Sequence, residues 1–149
     1  HKDSNWEQLI AADFDFNDIQ TLPVIRGFSL EETVRDFSKS AGSAFNSADA
    51  IIGQFGIGAD GHIAGMLPHS EAAKSTAAVF SYEAKPFTRI TLTSRMFEKI
   101  SAAYVFVFGE NKREAITNLR TKELSIEEQP AQILKRIRES YLYSDILPM

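Results

Sequence analysis

The sequence predicts an α/β domain in three layers, with helices on both sides of a mostly parallel sheet. Stretches of helical and strand character alternate along the chain, which is the pattern of α/β proteins. Residues 102–108 form a nearly continuous apolar run, typical of a parallel strand that is covered on both faces. Glycine-containing turns follow two of the predicted strands, as they do where parallel strands lead into helices. With 149 residues, the chain is expected to form a single domain over residues 1–149.

The first predicted elements are a helix over residues 29–45 and a buried strand over residues 49–55. In the helix, apolar side chains recur at steps of three and four; they are Leu30, Val34, Phe37, Ala41 and Phe45. Ser29 is suited to the N-cap position, and Glu32 completes a capping box with it. The strand ends at a glycine cluster, which predicts a turn directly after it.

The second half of the chain supplies the other strands and helices. Residues 89–93 alternate polar and apolar side chains at β-favouring positions, so they are predicted to form a strand. Thr93 or Ser94 then begins a short helix that runs through Ile100. The elements predicted beyond it are a strand at 102–108 that Gly109 ends, a helix at 111–119, a helix from Pro130 to about Arg138, and a short strand at 141–143.

Composition and charge narrow the range of partners. The formal net charge is -4, so no overall basic field attracts a nucleic-acid backbone, and nucleic-acid binding is not expected. The absence of cysteine excludes disulfides, thiolate nucleophiles and cysteine-ligated zinc, and it suits a cytoplasmic protein. No apolar run approaches the roughly 20 residues that a membrane-spanning helix needs, so no membrane partner is predicted.

The segment after the predicted strand at 49–55 carries the strongest chemical signal. Four of the eight glycines lie between Gly53 and Gly61, where they allow positive φ and a close approach of a ligand to the main chain. Asp60 and His62 stand two residues apart in the same turn. A carboxylate beside an imidazole can fix its tautomer and raise its basicity, which makes His62 a candidate general base. Exposed amides in such a turn can also bind an oxyanion.

Two other interpretations of the same residues are less specific. A glycine turn after a strand is common in α/β folds, and a lone histidine is usually a structural group. Asp60, His62 and His69 can be imagined as metal ligands, but their spacing fits no standard metal site. Neither a metal nor an organic cofactor is therefore predicted.

The glycine turn also resembles a family motif. The pattern shared with 6-phosphogluconolactonases and glucosamine-6-phosphate isomerases reads Gly56-x-Gly58-x-Asp60-Gly61-His62-x-Ala64. Four further segments resemble the family in the same order along the chain: residues 1–6, 89–93, 108–115 and 129–134. The resemblance implies a Rossmann-like, three-layer α/β fold of the phosphosugar isomerase and lactonase type.

Two family elements have no counterpart in the 149 residues. They are a Gly-Gly-Ser/Thr-Pro-type phosphate loop and an Asp-Glu-Arg segment that is expected just before His1. The chain also begins without a methionine. The resemblance therefore implies a C-terminal portion of the domain that lacks the N-terminal strands. Such a chain is expected to be inactive or poorly active on its own.

The residues after His62 distinguish two branches of the family. The deaminating isomerases carry Asn-Glu-Pro there, and the glutamate takes part in opening the sugar ring. This chain has Met66-Leu67-Pro68, which is closer to the lactonase stretch, and Leu67 cannot transfer a proton. Lactone hydrolysis needs one base and help for the oxyanion. The resemblance thus implies hydrolysis of 6-phosphoglucono-1,5-lactone to 6-phosphogluconate, a step of the pentose phosphate pathway.

For this reaction the resemblance implies a role for each candidate residue. His62 activates water, Asp60 orients His62, and amides around Gly58 and Gly61 stabilise the oxyanion. Lys112 is expected to bind the 6-phosphate at the start of a helix, with a solvated surface lysine as the alternative. Two weaker substrate contacts are expected: Arg89, which could equally pair with an acidic neighbour, and Asn5, which with Ser4 is placed by family position only.

Two other functions stay open at this point. The first is a glucosamine-6-phosphate isomerase or deaminase, against which the leucine at position 67 counts. The second is a non-catalytic module that binds sugar phosphates, against which the retained Asp60-Gly61-His62 counts. The expected partner is in each case a small phosphorylated sugar, a lactone for the favoured enzyme. A homodimer is also considered, because an open sheet edge invites association.

Overall fold

The structure is a computed structural model that describes residues 5–146, with Asn5 described in its backbone only. Five α-helices are found in this part of the chain: α1 Asn5–Ala11, α2 Leu30–Ser47, α3 Glu71–Lys74, α4 Ser94–Phe97 and α5 Arg113–Thr121. Two 3₁₀ segments occupy Glu110–Lys112 and Pro130–Arg136. The strands are β1 Ile52–Phe55, β2 Val79–Ala84, β3 Phe87–Leu92, β4 Ala102–Val107 and β5 Glu139–Ser144.

The central feature is a parallel sheet in the order β1-β4-β5. In its register, Phe55 of β1 lies beside Val105 of β4, and Tyr104 of β4 lies beside Tyr141 of β5. The α/β class with a parallel sheet is therefore confirmed, and so are the strands that were predicted at 102–108 and 141–143. The number of domains in the protein stays a prediction.

Helix α2 begins where its sequence predicts. The Ser29 hydroxyl accepts a hydrogen bond from the Glu32 amide at 3.3 Å, and the Glu32 carboxylate accepts one from the Ser29 amide at 3.1 Å. This reciprocal capping box satisfies two donors that a helix start would otherwise leave unpaired. Hydrogen bonds from the Ser29 side chain and amide hold the pKa of Glu32 below its ordinary value. Within residues 5–146, no helix combines the length and apolar character that a bilayer crossing requires.

The strand predicted at 89–93 belongs to a separate hairpin. As β3 it pairs antiparallel with β2, a strand that was not predicted, and not with the parallel sheet. The predicted helix from Pro130 is a 3₁₀ helix that ends at Arg136, and α1 and α3 were also not predicted. These differences concern short elements, whose form depends on distant partners more than on local periodicity.

The two faces of the sheet differ in burial, so the prediction that the strand at 102–108 is covered on both faces is wrong. Ala103, Val105 and Val107 of β4 are buried in a core that also includes residues of α5 and of the 3₁₀ helix Pro130–Arg136. The alternate residues point to the other face, where Tyr104 is 37% and Phe106 41% exposed. In β1, Ile52 is 61% exposed. In the described chain, this face of β1 and β4 is therefore more exposed than the face that packs into the core.

Candidate active site

The loop that follows β1 forms a tight glycine turn. The Gly58 amide donates to the His62 carbonyl at 2.9 Å, and the Gly61 amide donates to the Gly58 carbonyl at 2.9 Å. Gly61 has a φ of 82°, in the left-handed region that favours glycine. The turn reverses the chain over five residues, so the side chains of Asp60 and His62 come to lie side by side.

Asp60 and His62 form a hydrogen-bonded pair at the surface. The Nδ1 atom of His62 lies 2.6 Å from Oδ1 of Asp60, and the same oxygen accepts the His62 amide at 3.1 Å. Burial raises the pKa of Asp60, but the hydrogen bonds from the amide and ring of His62 outweigh it, so the net pKa lies below its ordinary value. The carboxylate is therefore ionised at neutral pH and can only accept.

The tautomer of His62 follows from this pairing. An ionised carboxylate needs a donor, so in the neutral imidazole Nδ1 carries the proton and the lone pair is on Nε2. No residue of the described chain hydrogen-bonds Nε2. The side chain of His62 is 35% exposed, and that of Asp60 52%. Nε2 is thus an accessible proton acceptor, and the imidazole is not sealed in the interior.

Gly58 is required by the close packing of this pair. A Cβ at position 58 would lie 2.0 Å from Nδ1 of His62 and 2.6 Å from Oδ1 of Asp60, distances that no side chain tolerates. Two residues earlier, a Cβ on Gly56 would meet the Phe106 carbonyl oxygen at 3.6 Å, an ordinary contact. The two glycines therefore differ: only Gly58 makes room for the Asp60–His62 contact.

The hairpin β2–β3 holds the far side of the same loop. The Tyr82 hydroxyl donates to the Gly65 carbonyl at 2.7 Å and accepts the Leu67 amide at 3.3 Å. The Thr91 hydroxyl accepts the Gly65 amide at 3.1 Å. Three hydrogen bonds to the two hairpin strands thus fix the segment that follows His62.

Arg89 lies on the hairpin face that contacts the loop. It is two residues from Thr91 in β3 and directly opposite Tyr82 in β2, so the three side chains share one face. Its Nε atom is buried without a hydrogen-bond partner, and none of the ion pairs within residues 5–146 includes it. The alternative that Arg89 pairs with an acidic neighbour has no support among the described residues.

Lys112 lies in the turn that follows β4. Gly109 ends the strand with a φ of 95°, and its amide donates to the Asp145 carboxylate at 3.0 Å. The Lys112 amide donates to the Gly109 carbonyl at 2.9 Å, which places the residue at the N-cap of α5. Lys112 is half-buried, and within the described chain its ammonium has no hydrogen-bond or ion-pair partner. A half-buried, unpaired cation is suited to an anionic ligand.

The His62 loop and the Lys112 turn lie at the same end of the sheet. They leave the carboxyl ends of β1 and β4, which are adjacent parallel strands. Ligands of open α/β sheets bind at this end. A third segment joins the two: the Ala131 amide donates to the Gly61 carbonyl at 3.0 Å, and Gln129 Nε2 donates to the Ala115 carbonyl of α5 at 2.7 Å.

The amides of Gly58 and Gly61 are already committed inside the turn, so neither can donate to an oxyanion in this arrangement. The Ala59 amide, between them, donates to no residue of the described chain. It is the donor of this stretch that stays available to a ligand. Of the weaker candidates, Asn5 begins α1, and its side chain lies outside the described part of the chain, as does Ser4.

Sequence reasoning missed the residues that support this loop from behind. Tyr82 lies in a strand that was not predicted, although residues 79–84 are rich in β-favouring side chains. Gln129 was recognised only as part of a matching segment. Its role depends on contacts with Gly61 and Ala115, which are far away in sequence.

Two cavities of the described chain lie away from this site. They have volumes of about 450 and 410 Å³ and lie along α2, and both are lined by the charged side chains of Asp36 and Lys39. Neither includes the loop after β1 or the turn after β4. The candidate site at the sheet end is built from exposed and half-buried groups.

These features define an α/β protein with a histidine–carboxylate pair and unpaired cations near the carboxyl end of a parallel sheet. The sequence model of the family described as glucosamine-6-phosphate isomerases/6-phosphogluconolactonase matches residues 1–143. The chain belongs to this family.

One curated relative is the 6-phosphogluconolactonase of Borreliella burgdorferi. It is 32% identical over 106 residues, which are 68% of this chain and 44% of that protein. The chain thus spans less than half the length of this relative.

Solved structures of the family share the fold. A 6-phosphogluconolactonase from Shewanella baltica OS155 superposes with a TM-score of 0.65 at 21% identity, over 81% of this chain and 55% of that one. A monomeric glucosamine-6-phosphate deaminase superposes with a TM-score of 0.63, also at 21% identity, over 80% of this chain and 54% of that one. At these identities the likeness establishes the fold, and it does so for both branches of the family.

Proposed function

We propose that this chain carries the catalytic base of a 6-phosphogluconolactonase, which hydrolyses 6-phosphoglucono-1,5-lactone to 6-phosphogluconate. The observation that carries the proposal is the Asp60–His62 pair, whose 2.6 Å contact engages Nδ1 and leaves Nε2 accessible and without a partner in the described chain. A relative with 32% identity is a 6-phosphogluconolactonase. The proposal concerns the whole protein, of which the chain supplies the Asp60–His62 loop and the Lys112 turn.

The chemistry follows from the positions of the protons. Nε2 of His62 removes a proton from a water molecule as the water oxygen attacks the lactone carbonyl carbon. Asp60 accepts the Nδ1 proton and stabilises the imidazolium that forms. The Ala59 amide is the available donor of the turn for the oxyanion of the tetrahedral intermediate. Collapse of the intermediate breaks the ring C–O bond, and the ring oxygen takes the proton from Nε2.

The phosphate of the substrate is assigned to Lys112, with Arg89 as a second cation. Both are half-buried and without an acidic partner in the described chain, so an incoming dianion does not have to displace one. Lys112 also stands at the N-terminus of α5, whose amides favour an anion. Asn5 remains a candidate substrate contact by family position.

The isomerase branch is the second candidate, since a deaminase shares the fold. Ring opening and isomerisation need a second proton-transferring group near the base. Between Gly61 and Ser70 the chain has no acidic residue. Leu67, whose amide donates to the Tyr82 hydroxyl, has a side chain that cannot transfer a proton. A non-catalytic module would need the cations but not the aligned Asp60–His62 pair. Both points favour the lactonase.

Two further expectations belong to this proposal. A second copy of the chain is proposed to cover the open aromatic face of the sheet as a homodimer, because apolar area of this kind favours association. A cytoplasmic location is proposed from the absence of cysteine.

The test is the lactonase rate of the full-length protein with His62→Ala, measured against His69→Ala. His69 is the matched control, because it lies in the same loop but its Nδ1 atom lies 3.9 Å from Oε1 of Glu127. We expect His62→Ala to lower kcat by about 10²- to 10⁴-fold and His69→Ala to leave it within about twofold. Turnover at the wild-type rate by the His62→Ala variant would refute the assignment of His62 as the catalytic base. Binding of the sugar phosphate without turnover by the wild type would favour the module.

A further inference from the structure

The segment from Gln129 to Ala131 contacts both parts of the candidate site, the loop that carries His62 and the helix α5 that begins after Lys112. Gln129 is 3% exposed, and a polar side chain at this depth must have its hydrogen-bonding groups satisfied. Its Nε2 donates to the Ala115 carbonyl at 2.7 Å, and its Oε1 accepts from Gln132 Nε2 at 2.7 Å. The amide is thus fixed in one orientation by two short hydrogen bonds.

The same side chain packs against the catalytic turn. A Cβ on Gly61 would lie 2.5 Å from Cγ and 2.9 Å from Nε2 of Gln129, so the glutamine fills the space beside the Gly61 Cα. The amide of Ala131, two residues after Gln129, donates to the Gly61 carbonyl at 3.0 Å. Gly61 is therefore held by a packing contact and a hydrogen bond, and His62 is the next residue.

The other end of the contact leads to Lys112. Ala115 lies in the first turn of α5, three residues after Lys112, and is itself buried. A rigid helix turn transmits the position of Ala115 to Lys112. From His62 to Lys112 the connection through Gln129 contains only two non-covalent steps, the contact with Gly61 and the hydrogen bond to Ala115.

We infer that Gln129 is a positioning residue that sets the separation between the imidazole of His62 and the ammonium of Lys112. This inference rests on the proposed function, because a fixed separation has value only for a substrate that both groups bind. A phosphorylated lactone spans the two groups, whereas the same lactone without phosphate engages His62 alone. Gln129 therefore favours the phosphorylated substrate without touching it.

The experiment compares 6-phosphogluconolactone and gluconolactone in the full-length protein. Gln129→Met keeps the volume of the side chain and removes both hydrogen bonds. We expect the ratio of kcat/KM for the phosphorylated over the plain lactone to fall about ten- to a hundredfold. Loss of folded protein alone lowers both rates equally and leaves this ratio unchanged. Thr33→Val, a buried isosteric change in α2, is the control and keeps the wild-type ratio.

An unchanged ratio in Gln129→Met would overturn the inference, whatever the absolute rates. If Gln129→Met does not fold, Gln129→Asn replaces it, because the shorter amide withdraws from Gly61 and Ala115 while remaining polar. Its ratio is judged by the same criterion.

A second measurement needs no turnover, so it separates this inference from the proposed function. Amide hydrogen exchange reads the Gly61 and Lys112 amides, which donate to Gly58 and Gly109. In Gln129→Met both amides should exchange faster than in wild type and in Thr33→Val. Faster exchange at Gly61 alone would show that Gln129 supports the loop without linking it to Lys112. The wild type could be inactive on both lactones while Gln129→Met still speeds exchange at both Gly61 and Lys112. This result would refute the lactonase activity but not the link that Gln129 makes between the two segments.

Discussion

At the scale of single residues, the candidate site depends on a small clearance around His62. The imidazole and the Asp60 carboxylate approach to 2.6 Å over the backbone of Gly58. A methyl group at position 58 would overlap both side chains, so Gly58→Ala must push them apart. We expect the variant to fold and to lose about 10²-fold in lactonase kcat, because small displacements of a base are costly. Steady-state kinetics of the purified protein measures this.

Gly56→Ala is the matched control for that experiment. The added methyl group meets the Phe106 carbonyl oxygen at 3.6 Å, and the position does not need a positive φ. Activity close to wild type is expected. If Gly56→Ala and Gly58→Ala lost the same activity, general loop disruption would explain both, and the clearance at position 58 would not matter.

Asp60 also links the site to pH. Its pKa in the folded chain lies below its ordinary value of 3.8, so its contribution to stability is present above pH 3.8 and is lost as the pH falls through the lower value. Asp60→Asn removes the contribution at every pH. The unfolding free energies of wild type and Asp60→Asn should therefore differ at pH 6 and converge in strong acid. Denaturant titrations across this range measure the gap, which should stay below about 1 kcal/mol because the carboxylate is half exposed. A gap that widens toward acid would contradict the assignment.

At the scale of elements, the hairpin β2–β3 supports the loop that carries Asp60 and His62. Tyr82→Phe removes the hydroxyl that bonds to Gly65 and Leu67. A cost of about 1 kcal/mol is expected, with faster amide exchange at Leu67 and a lower kcat. Tyr143→Phe, on an exposed tyrosine of β5, should change none of these. An unaltered exchange rate at Leu67 in Tyr82→Phe would mean that the hairpin does not restrain the loop.

The elements that could be predicted from sequence are those whose signal is local. The α2 capping box lies within four residues, and the β4 strand is a single apolar run, so both were predicted correctly. The Asp60–His62 contact was also foreseeable, because the partners are two residues apart. The β2–β3 pairing and the contacts of Gln129 join segments that are distant in sequence. No local pattern reports such pairings, and they were missed.

At the scale of the whole molecule, the sheet is apolar on both faces but buried on one. Tyr104 stacks on Tyr141 with 5.2 Å between ring centroids, and Phe106 stacks on Tyr143 at 5.1 Å. All four rings lie on the open face, at exposures of 37–45%. Such a sequence is typical of a sheet that is covered by a further layer. The apolar pattern of β4 is thus that of a strand covered on both faces, but only one of its faces is buried in the described chain.

The open aromatic face of the sheet predicts that copies of the chain associate. Burial of four stacked aromatic rings against a second copy would remove a large apolar area from water, and this would stabilise the proposed dimer. We expect the sedimentation coefficient of the 149-residue chain to rise with concentration over the micromolar range. Phe106→Arg places a charge at the centre of the face and should keep the chain monomeric, because an unpaired charge cannot be buried there.

Phe87→Arg is the control for the same measurement. Phe87 is 44% exposed, similar to Phe106, but it lies in the hairpin and away from the parallel sheet. The control variant should associate like the unaltered chain. Because both variants gain the same charge, a difference between them locates the contact on the β4–β5 face. A chain that sediments as a monomer at all concentrations would refute the homodimer.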